Sequence, residues 1–336
     1  MEEARSIPGR NCPLDYRYEP RDLNRPADFA AEALYVVGGL YGNPQALEAV
    51  LGLAAREPAA RVVFNGDFHW FDVRPDTFQA INEAVLAFDA LRGNVETELA
   101  RREEGAGCGC AYPEWVPDAV VERSNAIMVR LRETARGFPA LVERLAVLPR
   151  FLVAEVAGER VAIVHGDAHA LAGWNFSAES LDGLASSEAP ARWFTEANVR
   201  VFACSHTCLP VLREVALLAG LGCVVNNGAA GMPNFAGTRF GVVTRIGATP
   251  APEKILYGVR VGGLRVEALP LPYDHARWQR AFLADWPPGS PAFESYFDRM
   301  LRGPAYSVAR ARPRRLSSAA ALDRRRGPQQ VKKDPT

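Results

Sequence analysis

Apolar and polar positions alternate between two periods along the first two-thirds of the chain, then settle into consecutive apolar runs. Residues 34–37 are β-branched and aromatic and predict a strand. Pro44 follows where a first helical turn tolerates proline, and Ala46, Leu47, Val50, Leu51 and Ala54 recur at helical spacing. Residues 61–64 predict the next strand. Asp76 is expected to cap a helix carrying Phe78, Ile81, Val85, Leu86 and Phe88, and the short run 90–92 leads to Gly93-Asn94. Residues 119–136 predict a long helix with Val120, Ile127, Met128 and Leu131 on one stripe, and 138–145 a second that stops before Pro149. Residues 151–156 and 161–164, around the turn Gly158-Glu159, read as a hairpin, and 199–203 as a further strand. Beyond it, 210–217, 222–226, 240–246, 255–261 and 264–269 are strand candidates, and 277–283 and 292–301 closing helices.

Alternating strands and helices followed by consecutive strands imply a layered α/β fold with two sheets packed face to face. No fixed-period repeat is present, which excludes a solenoid. The expected organisation is an N-terminal extension over 1–30, a main domain over 31–275 with a helical insertion at 105–146, closing helices over 276–303, and a basic disordered tail over 304–336.

The chain has 336 residues, 48% of them hydrophobic, enough for one large core or two modest ones. No apolar run approaches the ~18 residues of a membrane span. The first ten residues carry charges and lack an apolar stretch, so no secretory signal is expected and a cytoplasmic protein is the default. Six cysteines in a chain of this length do not imply a disulfide framework, and Cys108-Gly-Cys110 is the one close pair. Formal net charge is zero, but residues 310–336 hold nine basic and two acidic side chains, net +7 against −7 elsewhere. Such a tail reads as a solvated segment; nucleic acid is not an expected partner.

Polar ligand types recur at the ends of the apolar runs: Gly66-Asp67, Gly93-Asn94, His165-Gly166 and Ser205-His206, with Gly38-Gly39-Leu40-Tyr41-Gly42-Asn43 after the first strand and Asn226-Asn227-Gly228 after a late one. Ligands placed at strand ends are what a metal site on a sheet rim requires. The glycines of the first turn do not fit G-x-G-x-x-G, no Lys-Ser or Lys-Thr follows for a phosphate-binding loop, and G-x-S-x-G is absent, which leaves dinucleotide binding and serine hydrolysis unsupported.

In this order the motifs resemble the calcineurin-like metallophosphoesterase superfamily, particularly its bacterial branch of small phosphodiesterases and nucleotide phosphatases, over roughly residues 31–275. The resemblance implies a four-layer sandwich of two mixed β-sheets flanked by helices. It also implies a divalent transition metal (Mn, Fe, Zn or Ni), one or two ions, and a small phosphoester or nucleotide substrate. Carried over residue by residue, one ion's ligands are complete: Asp67, Asn94, His165 and His206. The other ion's are eroded. Gly39 and Tyr41 stand where D-x-H is expected, Cys208 where the second His of G-H-x-H is expected, and Val95 where a His follows G-N. Loss confined to one ion's ligands is a selective pattern.

Three readings follow. One is a single-metal phosphoesterase with Tyr41 in the vacated pocket. Another is a rebuilt two-metal site using Cys208 and replacements such as His69, Asp72, Asp167 or His169. The third is a non-catalytic scaffold, with 105–146 as its partner surface. In the enzyme reading Asn43 and Asn227 are expected to bind phosphoryl oxygens, and His169 is the candidate proton donor.

Overall fold

The computed structural model describes residues 7–101 and 105–316. In chain order its strands are β1 (Phe29–Ala31), β2 (Ala33–Val37), β3 (Ala60–Asn65), β4 (Asp89–Leu91), β5 (Phe151–Val156), β6 (Glu159–Val164), β7 (Val201–Cys204), β8 (Val211–Leu217), β9 (Gly220–Asn226), β10 (Gly241–Gly247), β11 (Tyr257–Val261), β12 (Leu264–Leu271) and β13 (Arg314–Leu316). Its α-helices are α1 (Pro44–Arg56), α2 (Pro75–Val85), α3 (Asn94–Ala100), α4 (Asp118–Ala135), α5 (Pro139–Ala146), α6 (Ala178–Gly183), α7 (Ala189–Ala197), α8 (His275–Asp285), α9 (Pro291–Arg302) and α10 (Val308–Ala311).

The strands form two mixed sheets, ordered β1-β5-β6-β7-β9-β8-β13 and β11-β12-β10-β2-β3-β4. Their cores follow from the two-residue period of a strand. Leu34, Val36, Val63, Val242 and Ile246 point into the layer between the sheets, against Ile163, Ala203 and Val225. Their neighbours Tyr35, Val37, Val62, Phe64 and Val243 point the other way, into a second core with side chains of α1, α2, α4, α8 and α9. Trp193 and Phe194 of α7 and Leu181 of α6 cover the far face of the seven-stranded sheet. β2 is therefore buried on both faces, which its unbroken apolar run required. The result is an α/β sandwich of two sheets between helical layers.

Several local expectations change. α2 begins at Pro75 with Arg74 as N-cap, so Asp76 lies inside the first turn rather than capping it. α3, α6 and α7 were not marked by the periodicity; all three are short. Of the extension over 1–30, residues 7–30 are described: Leu23 packs into the core of the seven-stranded sheet on the side of α7, and Tyr16 and Tyr18 pack on Leu171 and Ala172.

Part of the expected disordered tail is ordered. β13 pairs parallel with β8, Arg314 opposite Arg213 and Leu316 opposite Val215. The fully buried Arg213 holds the approach to it, donating to the carbonyls of Arg310 and Arg312 at 3.3 Å each while its Nε meets Asp182 at 2.7 Å. Residues 317–336, with the remaining basic side chains, lie outside the described residues.

Candidate metal centre

Four side chains stand at or just beyond the carboxyl ends of four strands. Asp67 follows β3 and Asn94 opens α3 after β4, in one sheet; His165 follows β6 and His206 follows β7, in the other. Strand carboxyl ends are where open α/β sheets bind ligands, and here facing sheets bring two such rims together. Gly66 and Gly93 permit the approach. A Cβ at Gly66 would lie 2.4 Å from the nitrogen of Gly93, and one at Gly93 would lie 2.2 Å from Asp67 Oδ1.

Four acceptor atoms converge. His165 Nε2 lies 3.3 Å from Asp67 Oδ2, 3.2 Å from Asn94 Oδ1 and 3.2 Å from His206 Nδ1. The outward side of each is already engaged. His165 Nδ1 donates to the carbonyl of Asn65 at 2.8 Å, His206 Nε2 to that of Cys110 at 3.0 Å, and Asn94 Nδ2 to that of Cys108 at 2.9 Å. These outer bonds assign both imidazole tautomers and the amide orientation, so the inner atoms present lone pairs. A proton on His165 Nε2 satisfies one neighbour; a cation satisfies all four. The ligand atoms of Asp67, His165 and His206 lie within 4.8 Å of one another, and all three residues are buried.

The charges agree with that geometry. Burial works against the Asp67 carboxylate, but His165 and His206 beside it hold its pKa below the usual value. Burial likewise works against charge on His165, and Asp67 outweighs it, raising that imidazole's pKa. His206 is pushed down to about 3 by burial and by the charge of His165. Without an ion, Asp67 thus favours a proton on His165 Nε2, the proton a cation would replace, while His206 stays neutral with a free Nδ1 lone pair.

Two supporting features were not drawn from the sequence. Glu96 is buried, and its carboxylate accepts from the backbone N–H groups of Asp67, Phe68 and Gly93 at 2.8, 3.0 and 2.8 Å. It thereby locks the turn that aims Asp67. Its signal was present: Glu96 is three residues past the N-cap Gly93, the capping-box position. The other is Cys108-Gly-Cys110, whose carbonyls, rather than its thiols, hold Asn94 and His206.

Two solved structures resemble this architecture. A metallophosphoesterase from Sphaerobacter thermophilus superposes with a TM-score of 0.51 at 18% sequence identity, over 81% of this chain and 100% of that one. A hypothetical protein from Pyrococcus horikoshii OT3 gives a TM-score of 0.54 at 16% identity, over 81% and 99%. The chain has the metallophosphoesterase fold. No family model matches it, and no curated protein matches it in sequence.

On this metallophosphoesterase fold, the ground beside Asp67 is filled by Tyr41 and Cys208. The Tyr41 hydroxyl lies 2.8 Å from Cys208 Sγ, and a Cβ on Gly39 would meet Tyr41 Cζ at 3.0 Å. The phenol thus lies over Gly39, where the sequence resemblance implies an aspartate. Tyr41, Asp67 and Cys208 have φ of 56°, 52° and 60°, three of the six non-glycine residues with positive φ among those described. Such backbone is costly for a tyrosine and gathers at functional sites. Burial raises the pKa of both Tyr41 and Cys208, so a phenol and a thiol, not two anions, face the centre.

The other sequence candidates lie elsewhere. His69 is fully buried, pairs through Nδ1 with Asp72 and stacks on Phe78 at 4.3 Å, a core imidazole rather than a ligand. Asp167 accepts from the backbone of His169, Ala170 and Asn175 and shapes their loop. His169 packs edge-on against Trp193 with Nδ1 3.8 Å from Glu19, away from the four converging groups, so it is not placed to donate a proton there. Asn43 caps α1, accepting from Ala46 N while donating to the carbonyl of Gly231; neither end is free for phosphate. Asn227 donates to the carbonyls of Gly38 and Val242 and ties the sheets together, again not a phosphate ligand.

The cavity over the centre is about 40 Å³, with Asp67, Asn94, His206 and Cys208 in its floor and Trp70, Tyr112, Trp174 and Tyr296 in its walls. That volume admits a few waters. Among the described residues no helix is long and apolar enough to cross a membrane.

Proposed function

We propose that Asp67, Asn94, His165 and His206 hold one divalent transition metal ion and that the chain hydrolyses small phosphoesters in the cytoplasm. The single observation behind this reading is the set of four inward lone pairs, each fixed from its outward side. Imidazole, carboxylate and amide donors suit Mn, Fe, Zn or Ni. When bound, the cation supplies Lewis acidity, lowering the pKa of water and drawing in phosphoryl oxygens.

The chain's own groups do the rest. Glu96 keeps the Asp67 carboxylate facing the ion position. Cys108 and Cys110 keep Asn94 and His206 in register through their carbonyls, and Tyr112 and Trp174 limit water. Tyr41 and Cys208 take the room of a second ion, and the Tyr41 hydroxyl, protonated at neutral pH, can donate a hydrogen bond to a phosphoryl oxygen. No imidazole besides His206 lines the cavity among the described residues. With no dedicated acid for the leaving group, aryl and nucleotide phosphates would react faster than alkyl esters.

The tight cavity favours one alternative, a metal-loaded scaffold without turnover, because small-molecule sites usually offer about 300 Å³ or more. Elemental analysis of chelator-free protein, with Asp67→Ala and His206→Ala alongside, tests the centre; hydrolysis of an aryl phosphodiester with Mn²⁺ tests the activity. Metal and turnover in the wild type, lost in both variants, support the enzyme. Stoichiometric metal without turnover on a phosphoester panel supports the scaffold. A wild type free of metal overturns the centre itself.

A further inference from the structure

The insertion places an aromatic corner at the rim of the centre. Trp115 is 64% exposed, unusual for so large an apolar ring. It meets Trp174 edge to face, centroids 5.6 Å apart and planes at 87°. Tyr112 lies 5.8 Å from the same Trp174 ring, and Trp174 in turn lies 5.4 Å from His206. The inner rings are fixed before any ligand arrives. Trp174 Nε1 donates to the carbonyl of Cys110 at 3.0 Å, the same oxygen that accepts from His206 Nε2. The Tyr112 hydroxyl is 3.0 Å from Ser124 Oγ. One acceptor therefore sets the position of both a metal-centre imidazole and an indole of the corner.

We propose that Trp115 and Trp174 form a stacking site for the planar aromatic group of a phosphoester whose phosphoryl end reaches the His206 side of the cavity. The substrate class is thus a nucleoside monophosphate or an aryl phosphate, which share that planar group. The phosphoryl half of this assignment rests on the function proposed above; the stacking half stands on the packing of Trp115, from the insertion, against Trp174. Two rings at a right angle offer a planar ligand one face and one edge, and an exposed indole gains most from being covered. The 40 Å³ cavity has no room for a base or an aryl ring. Such a group must therefore stay outside, where Trp115 is.

Calorimetric titration of the full chain with adenosine 5′-monophosphate, phenyl phosphate, glycerol 2-phosphate and adenosine tests the assignment. Either aromatic phosphate should bind about tenfold more tightly than glycerol 2-phosphate, the equivalent of one stacked ring. The tighter of the two distinguishes nucleobase from aryl. That ratio should fall to near one in Trp115→Ala and persist in Trp115→Phe. Equal affinity for aromatic and alkyl phosphates in the wild type, or an unchanged ratio in Trp115→Ala, would overturn the stacking site while leaving the metal reading intact. Adenosine binding that survives Asp67→Asn but is lost in Trp115→Ala would uphold it even if no phosphoester were ever cleaved.

Discussion

Gly93→Ala places one methyl group inside the centre. Gly93 has ordinary φ, −90°, so alanine meets no backbone penalty there. The cost is steric. The new Cβ would lie 2.2 Å from Asp67 Oδ1 and 2.8 Å from both Asp67 N and His165 Cε1, well inside the 3.4 Å at which ordinary contact begins. Asp67 cannot yield freely, because Glu96 holds its N–H at 2.8 Å. Overpacking of this kind costs about 1–3 kcal/mol. The same displacement moves a carboxylate that must point at the ion. Two measurements follow: the thermal midpoint without metal, and its rise on adding Mn²⁺ or Zn²⁺. At 100 times the dissociation constant a native-state ligand adds about 2.7 kcal/mol. That increment should appear in the wild type and vanish in Gly93→Ala, beyond the loss of basal stability. Gly263→Ala, with nothing within 4 Å of its added Cβ, is the control. A Gly93→Ala protein with wild-type midpoint and wild-type metal response would refute both the tight geometry and the role of Asp67.

Asn43→Ala should lower stability by about 1 kcal/mol, as loss of a helix cap does, without changing metal content, seen by urea denaturation beside elemental analysis. Tyr41→Phe removes one partner of Cys208 Sγ, leaving the carbonyl of His206 at 3.2 Å, and thiol labelling should then modify Cys208 faster at fixed pH; an unchanged rate would show that the phenol does not shield it. Glu57 has its pKa lowered by hydrogen bonds from Arg245 and, less strongly, Tyr35, although partial burial opposes this. A lowered carboxylate stabilises the fold above its unfolded pKa and loses that contribution as pH falls through the folded one. Glu57→Gln should therefore cost on the order of 1–3 kcal/mol at pH 7. The gap between the two proteins should begin to close only below the unfolded carboxylate value of about 4.3 and should vanish once pH has fallen through the lower folded one, checked by denaturant midpoints from pH 7 downward.

The order and type of the longer elements were legible because burial writes its period into sequence. β2, β3 and β10 divide neighbouring side chains between two cores, and α4 keeps Ile127, Met128 and Leu131 on one face. The four converging ligands were legible as residues at strand ends beside glycine or serine. Their convergence was not, since it depends on how two sheets face one another. Asn43 and Asn227 misled for a physical reason. An asparagine in a turn serves the backbone as readily as a ligand, and the choice depends on Gly231, Gly38 and Val242, remote in sequence. His69 misled in the same way, its partner Asp72 being as plausible a ligand as itself. α3, α6 and α7 have too few turns for a period to register. Glu96 was visible only to a search for helix caps, not to a search for ligands.

The three-residue strand Arg314–Leu316 lies along the outer side of β8, whose other side is paired to β9. A chain cut before Arg314 would leave a row of backbone donors and acceptors on Arg213–Val215 with nothing opposite them. A bare strand margin of that kind invites a second molecule to add its own strand, the first step of self-association. Those last few described residues thus act as a selvedge: they close the margin of β8 with a strand only three residues long.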